Sequence, residues 1–138
     1  MSRKQSRELA FRLLFSLAFR SEALVPLINE ELLDAALLGE KCPDATEMAY
    51  ITKLVAAVCD NLDEIDGIIK DRSKGFVFDR IFKTDLTALR LGIAEIKYVA
   101  ADDTHAIVVV NEVIEIAKKY GTEKSGVFVN GILAALIQ

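Results

Sequence analysis

Three basic side chains, Arg3, Lys4 and Arg7, open the chain, and Gly121-Thr-Glu-Lys-Ser125-Gly stands near its end, just ahead of Phe128. Cationic groups neutralise phosphates and an aromatic ring stacks an unpaired base, so this combination suits a single-stranded nucleic acid. Each part also has a plainer reading. N-terminal cations are often solvated charge, and a large aromatic ring is more often core than contact. Lys124-Ser125 looks like a phosphate loop at a glance. The glycine directly before the lysine, the glycine five positions back and the upstream strand are all missing, so nucleotide binding of that kind is excluded.

Other chemistry has little to work with. His105 is the only histidine, with no nucleophile pattern beside it, and a loop or helix-start position suits it better than a base. Asp63, Glu64 and Asp66 read as a solvated helix face, since paired acids catalyse only where a pocket separates their pKa values. Cys42 and Cys59 lie too far apart in sequence to be a zinc-ligand pair, and a structural zinc wants four ligands. No metal, cofactor or enzymatic activity is expected. Free cysteines suit a reducing, cytoplasmic compartment. No apolar run approaches the roughly 18 residues of a membrane span, and no signal peptide is apparent.

These residues must be positioned by helices. Ala10, Leu13, Leu14, Leu17 and Ala18 recur at helical spacing, and Phe11, Phe15 and Phe19 add an adjoining stripe, so the first helix is buried on most sides. Its first turns place Arg3, Lys4 and Arg7 on one exposed end. A second helix covers Leu27 to Leu38, broken by Gly39 through Pro43. Asp44 and Glu47 have the spacing of a capping box. The helix they open runs through Tyr50, Leu54, Val58 and Leu62 and continues or restarts through Ile65, Ile68 and Ile69 to Gly75. Phe76 to Asp79 is a short connection, and Thr84 can cap a helix with the seam Leu86, Leu89, Ile93 and Ile96. Val108 to Val110 look strand-like alone, but Val110, Val113, Ile114 and Ala117 continue as one helical stripe, with Glu115 four residues before Lys119. Gly121 is placed as the C′ residue, and a last helix runs through Ile137. The expectation is an all-α fold, one compact domain over residues 1–138 with six or seven helices.

Charge is unevenly distributed in this 138-residue chain of net charge −4. Residues 1–20 hold five basic groups against Glu8 alone, whereas residues 21–71 hold twelve acidic groups against three basic ones. A basic head can hold a polyanion on an acidic protein.

Val110-Asn-Glu-Val-Ile-Glu-Ile-Ala-Lys-Lys-Tyr-Gly121, with Glu123-Lys-Ser125 and Phe128-Val-Asn-Gly-Ile-Leu133, resembles the NusB family of bacterial transcription antitermination factors. Ser6-Arg7-Glu8-Leu-Ala10, Lys74-Gly75, Asp79-Arg80-Ile81 and Asp85-Leu-Thr-Ala-Leu-Arg90 with Glu95 agree with it. The resemblance implies two small helical bundles packed together and a non-enzymatic protein. It further implies binding of single-stranded boxA RNA together with NusE, a small-subunit ribosomal protein, within the RNA polymerase antitermination complex on ribosomal RNA operons. Two alternatives are a NusB-like RNA-binding domain of an rRNA methyltransferase and a NusB-like helical interaction module with lost or altered RNA specificity. The RNA is expected on Arg3, Lys4, Arg7, Lys124, Ser125 and Phe128; Asn130 can reach a base edge or equally satisfy a helix end. The resemblance places the NusE contact near Asp85, which could equally serve to charge its helix N-terminus. Ile107 and Val127 stand where the family often carries lysine, His105 where proline is common and Ala94 where tyrosine is. Fewer phosphate contacts are implied, with Lys124 a partial substitute.

Overall fold

The computed structural model describes residues 1–20, 29–73, 75–99 and 103–137. Among these are seven α-helices and no strand: α1 (Arg3–Arg20), α2 (Glu30–Leu37), α3 (Ala45–Asp60), α4 (Leu62–Arg72), α5 (Lys83–Ala94), α6 (Asp103–Tyr120) and α7 (Glu123–Leu133). Short 3₁₀ turns cover Phe78–Arg80 and Ala134–Ile137, and a π-helical turn, Glu95–Val99, extends α5.

The doubly apolar first helix is central, as its pattern predicts. Leu13, Leu14 and Leu17 are buried on one face and Phe11 on the next, so α1 packs on α2, α3 and α5 together. Phe15 is half-buried and stacked on Phe11; the Phe19 side chain lies outside the described residues. α1, α2 and α3 form one bundle, α5, α6 and α7 the other, and α4 lies against α3 and α5. The bundles join where α5 meets α1 and α3. Ala10, Leu89, Ile93, Val113 and Leu133 are buried with the α1 leucines in one core.

Helix ends follow local chemistry. The Asp44–Glu47 capping box forms in both directions, each bond 2.8 Å. Asn61 separates α3 from α4, its side-chain amide donating to the Ala57 carbonyl at 2.8 Å. α2 starts at Glu30 with Asn29 as its cap, and the predicted start at Leu27 lies outside the described residues, as does Lys74. Gly39 after it has φ +81°.

Four expectations are corrected. Thr84 is no cap: α5 begins at Lys83, after an extended Phe82, so Thr84 and Asp85 lie in its first turn. Gly121 is not left-handed; a β-carbon there would lie 2.4 Å from the Ser125 hydroxyl and 2.8 Å from the Ala117 carbonyl, so close approach demands glycine. Glu115 faces Lys118 at 3.8 Å, whereas Lys119 reaches across to Glu8 of α1. Of the supposed solvated acids, Asp63 and Glu64 are exposed as expected, whereas Asp66 is half-buried. Asp66 accepts two hydrogen bonds from Arg90, both 2.9 Å, and Glu64 pairs with Lys97 at 2.6 Å, so both fasten α4 to the α5 segment.

Truncating Leu14, buried at the junction of these helices, to alanine is expected to cost about 2–5 kcal/mol in a urea unfolding titration.

Candidate nucleic-acid interface

The basic start of α1 divides into three different environments. Arg7 is 1% exposed and makes no surface patch. Its Nε donates to Glu95 Oε1 at 2.7 Å and its Nη2 to Glu95 Oε2 at 2.9 Å, with Glu112 of α6 3.5 Å from Nη1. The expected phosphate contact at Arg7 is therefore corrected: helical spacing puts Arg7 one turn from Arg3, but that side of the helix is already against α5 and α6. Glu95 is fully buried and also accepts from the Tyr50 hydroxyl at 2.8 Å, with His105 Nε2 3.3 Å away in the first turn of α6. Burial alone would raise the Glu95 pKa, but hydrogen bonds and charge from Arg7 outweigh it and hold the carboxyl below its ordinary 4.5.

Arg3 and Lys4 remain exposed. The Arg3 guanidinium lies 3.8 Å over the Tyr50 ring, a cation–π contact that fixes its plane. Lys4 stands one helical turn before Glu8, and Glu8 accepts from Lys119 Nζ at 2.5 Å and from the Tyr120 hydroxyl at 2.7 Å. These bonds tie the start of α1 to the end of α6, from which the Gly121–Lys124 turn departs. Lys119, overlooked because its sequence spacing pairs it with Glu115, thereby joins Lys4 in one basic edge, balanced by Glu8.

The turn into α7 is closed by a reciprocal cap. Thr122 N–H donates to Ser125 Oγ at 3.1 Å and Ser125 N–H to Thr122 Oγ1 at 3.4 Å. Ser125 is buried, with both polar groups engaged, so its expected role as an anion donor is corrected to that of a cap residue. Lys124 is exposed beside it. One turn on, Phe128 is half-buried and its ring centroid lies 4.8 Å from that of Phe76, at an interplanar angle of 58°.

This aromatic pair borders a cleft of about 500 Å³ lined by Phe76, Arg80, Phe82, Asp85, Lys124 and Phe128, among others. A second groove of about 470 Å³ shares Phe76, Lys124 and Phe128 and ends at Val127. Phe76 is 62% and Phe82 74% exposed, large apolar surface that a solvated protein rarely leaves open without use. Sequence reasoning missed both residues, although Phe76, Phe78 and Phe82 in a short connection were a signal. Asp85 is 6% exposed within the cleft, and its Oδ1 has no hydrogen-bond partner. Asn130 is exposed on the outer face of α7 with Val127, one turn before it, and does not enter the cleft's lining.

Comparison with known proteins decides the family. A NusB family profile matches residues 4–138. The chain belongs to the NusB family. The transcription antitermination protein NusB of Agathobacter rectalis is 36% identical, over 97% of this chain and 98% of that protein. Its counterpart in Acetivibrio thermocellus is 38% identical, over 100% of this chain and 90% of its own length. T. maritima NusB superposes with a TM-score of 0.82 at 30% identity, covering 99% of this chain and 91% of that one. The antitermination factor NusB crystallised with NusE and double-stranded RNA superposes with a TM-score of 0.80 at 30% identity, covering 98% and 95%. The NusB assignment carries the all-helical fold and a non-enzymatic, antitermination class of protein.

For this NusB family member, Arg7→Met is expected to destabilise by about 3–5 kcal/mol, because Glu95 is left charged in the core. Arg7→Met combined with Glu95→Leu should recover most of that loss in urea unfolding. A depressed carboxylate pKa stabilises above its unfolded value, and that part is lost as pH falls through the folded one. Wild type should therefore lose stability below about pH 4.5 more steeply than Glu95→Gln.

Proposed function

We propose that this chain is a transcription antitermination factor that binds single-stranded boxA RNA together with NusE. It then joins the RNA polymerase antitermination complex on ribosomal RNA operons, in the cytoplasm where nascent RNA is made. The observation that carries the reading is the half-buried Phe128, paired with Phe76 and flanked by Lys124 at the mouth of an aromatic cleft. A ring anchored on one side and open on the other is what base stacking requires. Arg3 and Lys4, with Lys119 beside them, hold phosphates along the neighbouring basic edge. The relative solved with NusE and RNA supports an RNA and a NusE partner for this chain. The start of α5 suits NusE through the exposed side chains of Phe82 and Val77 next to Asp85. Asn130 contributes only where RNA continues along the outer face of α7. The relatives named transcription antitermination protein NusB favour the antitermination reading over the methyltransferase one.

The test is anisotropy titration of boxA RNA with and without NusE. Lys4→Ala with Lys124→Ala should weaken binding and make the slope of log K against log salt shallower by about 1.4, two contacts at about 0.7 each. Phe128→Ala should lose about 1–3 kcal/mol of RNA affinity while melting within a few degrees of wild type. A large melting loss with unchanged affinity would make Phe128 a core residue and remove the cleft from the RNA path.

A further inference from the structure

Arg3 and Arg7 lie one helical turn apart on α1, and a hydrogen-bonded pair, Tyr50 and Glu95, meets them both. Glu95 takes the Arg7 guanidinium into the core. The half-buried Tyr50 ring carries the exposed Arg3 guanidinium 3.8 Å above its centroid, at the surface. The Tyr50 hydroxyl donates to Glu95 Oε2 at 2.8 Å. Burial, and then the Glu95 charge, push that hydroxyl's pKa well up, so it stays a neutral donor. The ring is thus fixed at its far end by a carboxylate that Arg7 itself holds.

What the ring does for Arg3 follows from where Arg3 stands. A cation in the first turn of a helix opposes the dipole, and α1 has no acidic residue there to offset Arg3 and Lys4. Such charges suit an anion that arrives from outside. The backbone beneath them is set by a reciprocal cap, Ser2 N–H donating to Gln5 Oε1 at 2.7 Å and Gln5 N–H to Ser2 Oγ at 3.1 Å. With the backbone capped and the guanidinium stacked, a long, rotamer-rich side chain is placed at both ends before a ligand binds. The ring covers one face of the guanidinium and takes none of its N–H groups. Among the described residues no carboxylate or carbonyl takes them either. Those donors lie in the guanidinium plane and match two oxygens of a phosphodiester side by side. We propose that Tyr50 is a positioning residue for RNA binding, its ring holding the Arg3 guanidinium ready to take a backbone phosphate of the single-stranded RNA. The inference rests on the single-stranded RNA reading above and adds to it a residue that acts through Arg3.

The experiment is anisotropy titration of boxA RNA at several salt concentrations, with melting curves. The proteins are wild type, Tyr50→Leu, Tyr50→Phe, Arg3→Ala and the combined Tyr50→Leu and Arg3→Ala variant. Arg3→Ala should lose affinity and make the salt slope shallower by about 0.7, one phosphate contact. Tyr50→Leu should lose about two- to fivefold, the worth of an exposed cation–π contact, and cost nothing further in the Arg3→Ala background. Tyr50→Phe restores the ring without the hydroxyl, so it should rescue RNA affinity while melting below wild type, because Glu95 has lost a donor. The inference is overturned if Tyr50→Leu binds as wild type does, or if its loss persists undiminished without Arg3. It is also overturned if Tyr50→Phe loses as much affinity as Tyr50→Leu, since affinity then follows stability. Should Tyr50→Leu not fold, wild type decides by NMR. Its Arg3 Nε–H resonance, identified by its absence in Arg3→Ala, should lie upfield of the ordinary arginine position through the ring current and move when boxA RNA is added. An ordinary position, or no movement at saturating RNA, overturns the inference too. Salt-dependent RNA binding that is indifferent to Tyr50 removes only the positioning role, whereas no binding of any RNA removes the single-stranded RNA reading with it.

Discussion

The fully buried pair of Arg7 and Glu95 constrains most of what surrounds it. Two ions removed from water recover that cost only when geometry is close and remaining lone pairs are filled. Arg7 meets Glu95 with two nearly parallel hydrogen bonds, and Tyr50 supplies a third donor from α3. The participants come from α1, α3, the π turn after α5 and α6, so the pair can be complete only when both bundles are in register. Apolar packing would tolerate small slips between the bundles. A carboxylate needing its donors within 2.7–2.9 Å does not. Glu95 opens the π turn with its side chain buried, while Lys97 within the same turn faces Glu64 on the outside.

Fixing α1 against α5 and α6 in this way also fixes the surface. Arg3 and Lys4 extend from the same helix that Arg7 anchors, and Lys119 and Tyr120 meet Glu8 one turn beyond Lys4. The Gly121 turn follows at once, and its closeness to Ser125 and Ala117 sets where α7 starts and hence where Phe128 stands. A rigid frame therefore presents an aromatic ring and several cations without spending binding energy on ordering them.

Periodicity made the helices legible, because the spacing of Leu13, Leu14 and Leu17 or of Leu86, Leu89 and Ile93 depends only on local geometry. The capping box at Asp44 was legible for the same reason. Arg7 was not. Its neighbours in sequence are charged and polar, and the partner that buries it lies 88 residues away, beyond any local pattern. Lys119 was misassigned because a helical i to i+4 rule cannot see Glu8 on another helix. The cleft was half legible: Lys124 and Phe128 were marked by type and spacing, while Phe76 and Phe82 became significant only once the turn before α5 placed them opposite. Asp85 was marked as a charge, and its burial among rings is a tertiary fact.

The departures from the family pattern acquire a physical meaning in this frame. Ile107 and Val127, where lysines are common, are 52% and 75% exposed, so no packing demand explains their apolar character. Each missing lysine removes a counterion-release contribution, which is the part of affinity that falls with salt. In the proposed RNA site, Phe128 on Phe76 with Lys124 and Arg80 nearby would act by stacking, a contribution that salt screens far less. The balance between ring and charge at this turn is therefore shifted toward the ring. Recognition by stacking, as proposed for Phe128, is short-ranged, and it demands a rigid frame more than a field does. The buried Arg7–Glu95 pair supplies that rigidity, linking a core constraint to a surface that has fewer long-range charges with which to hold its ligand.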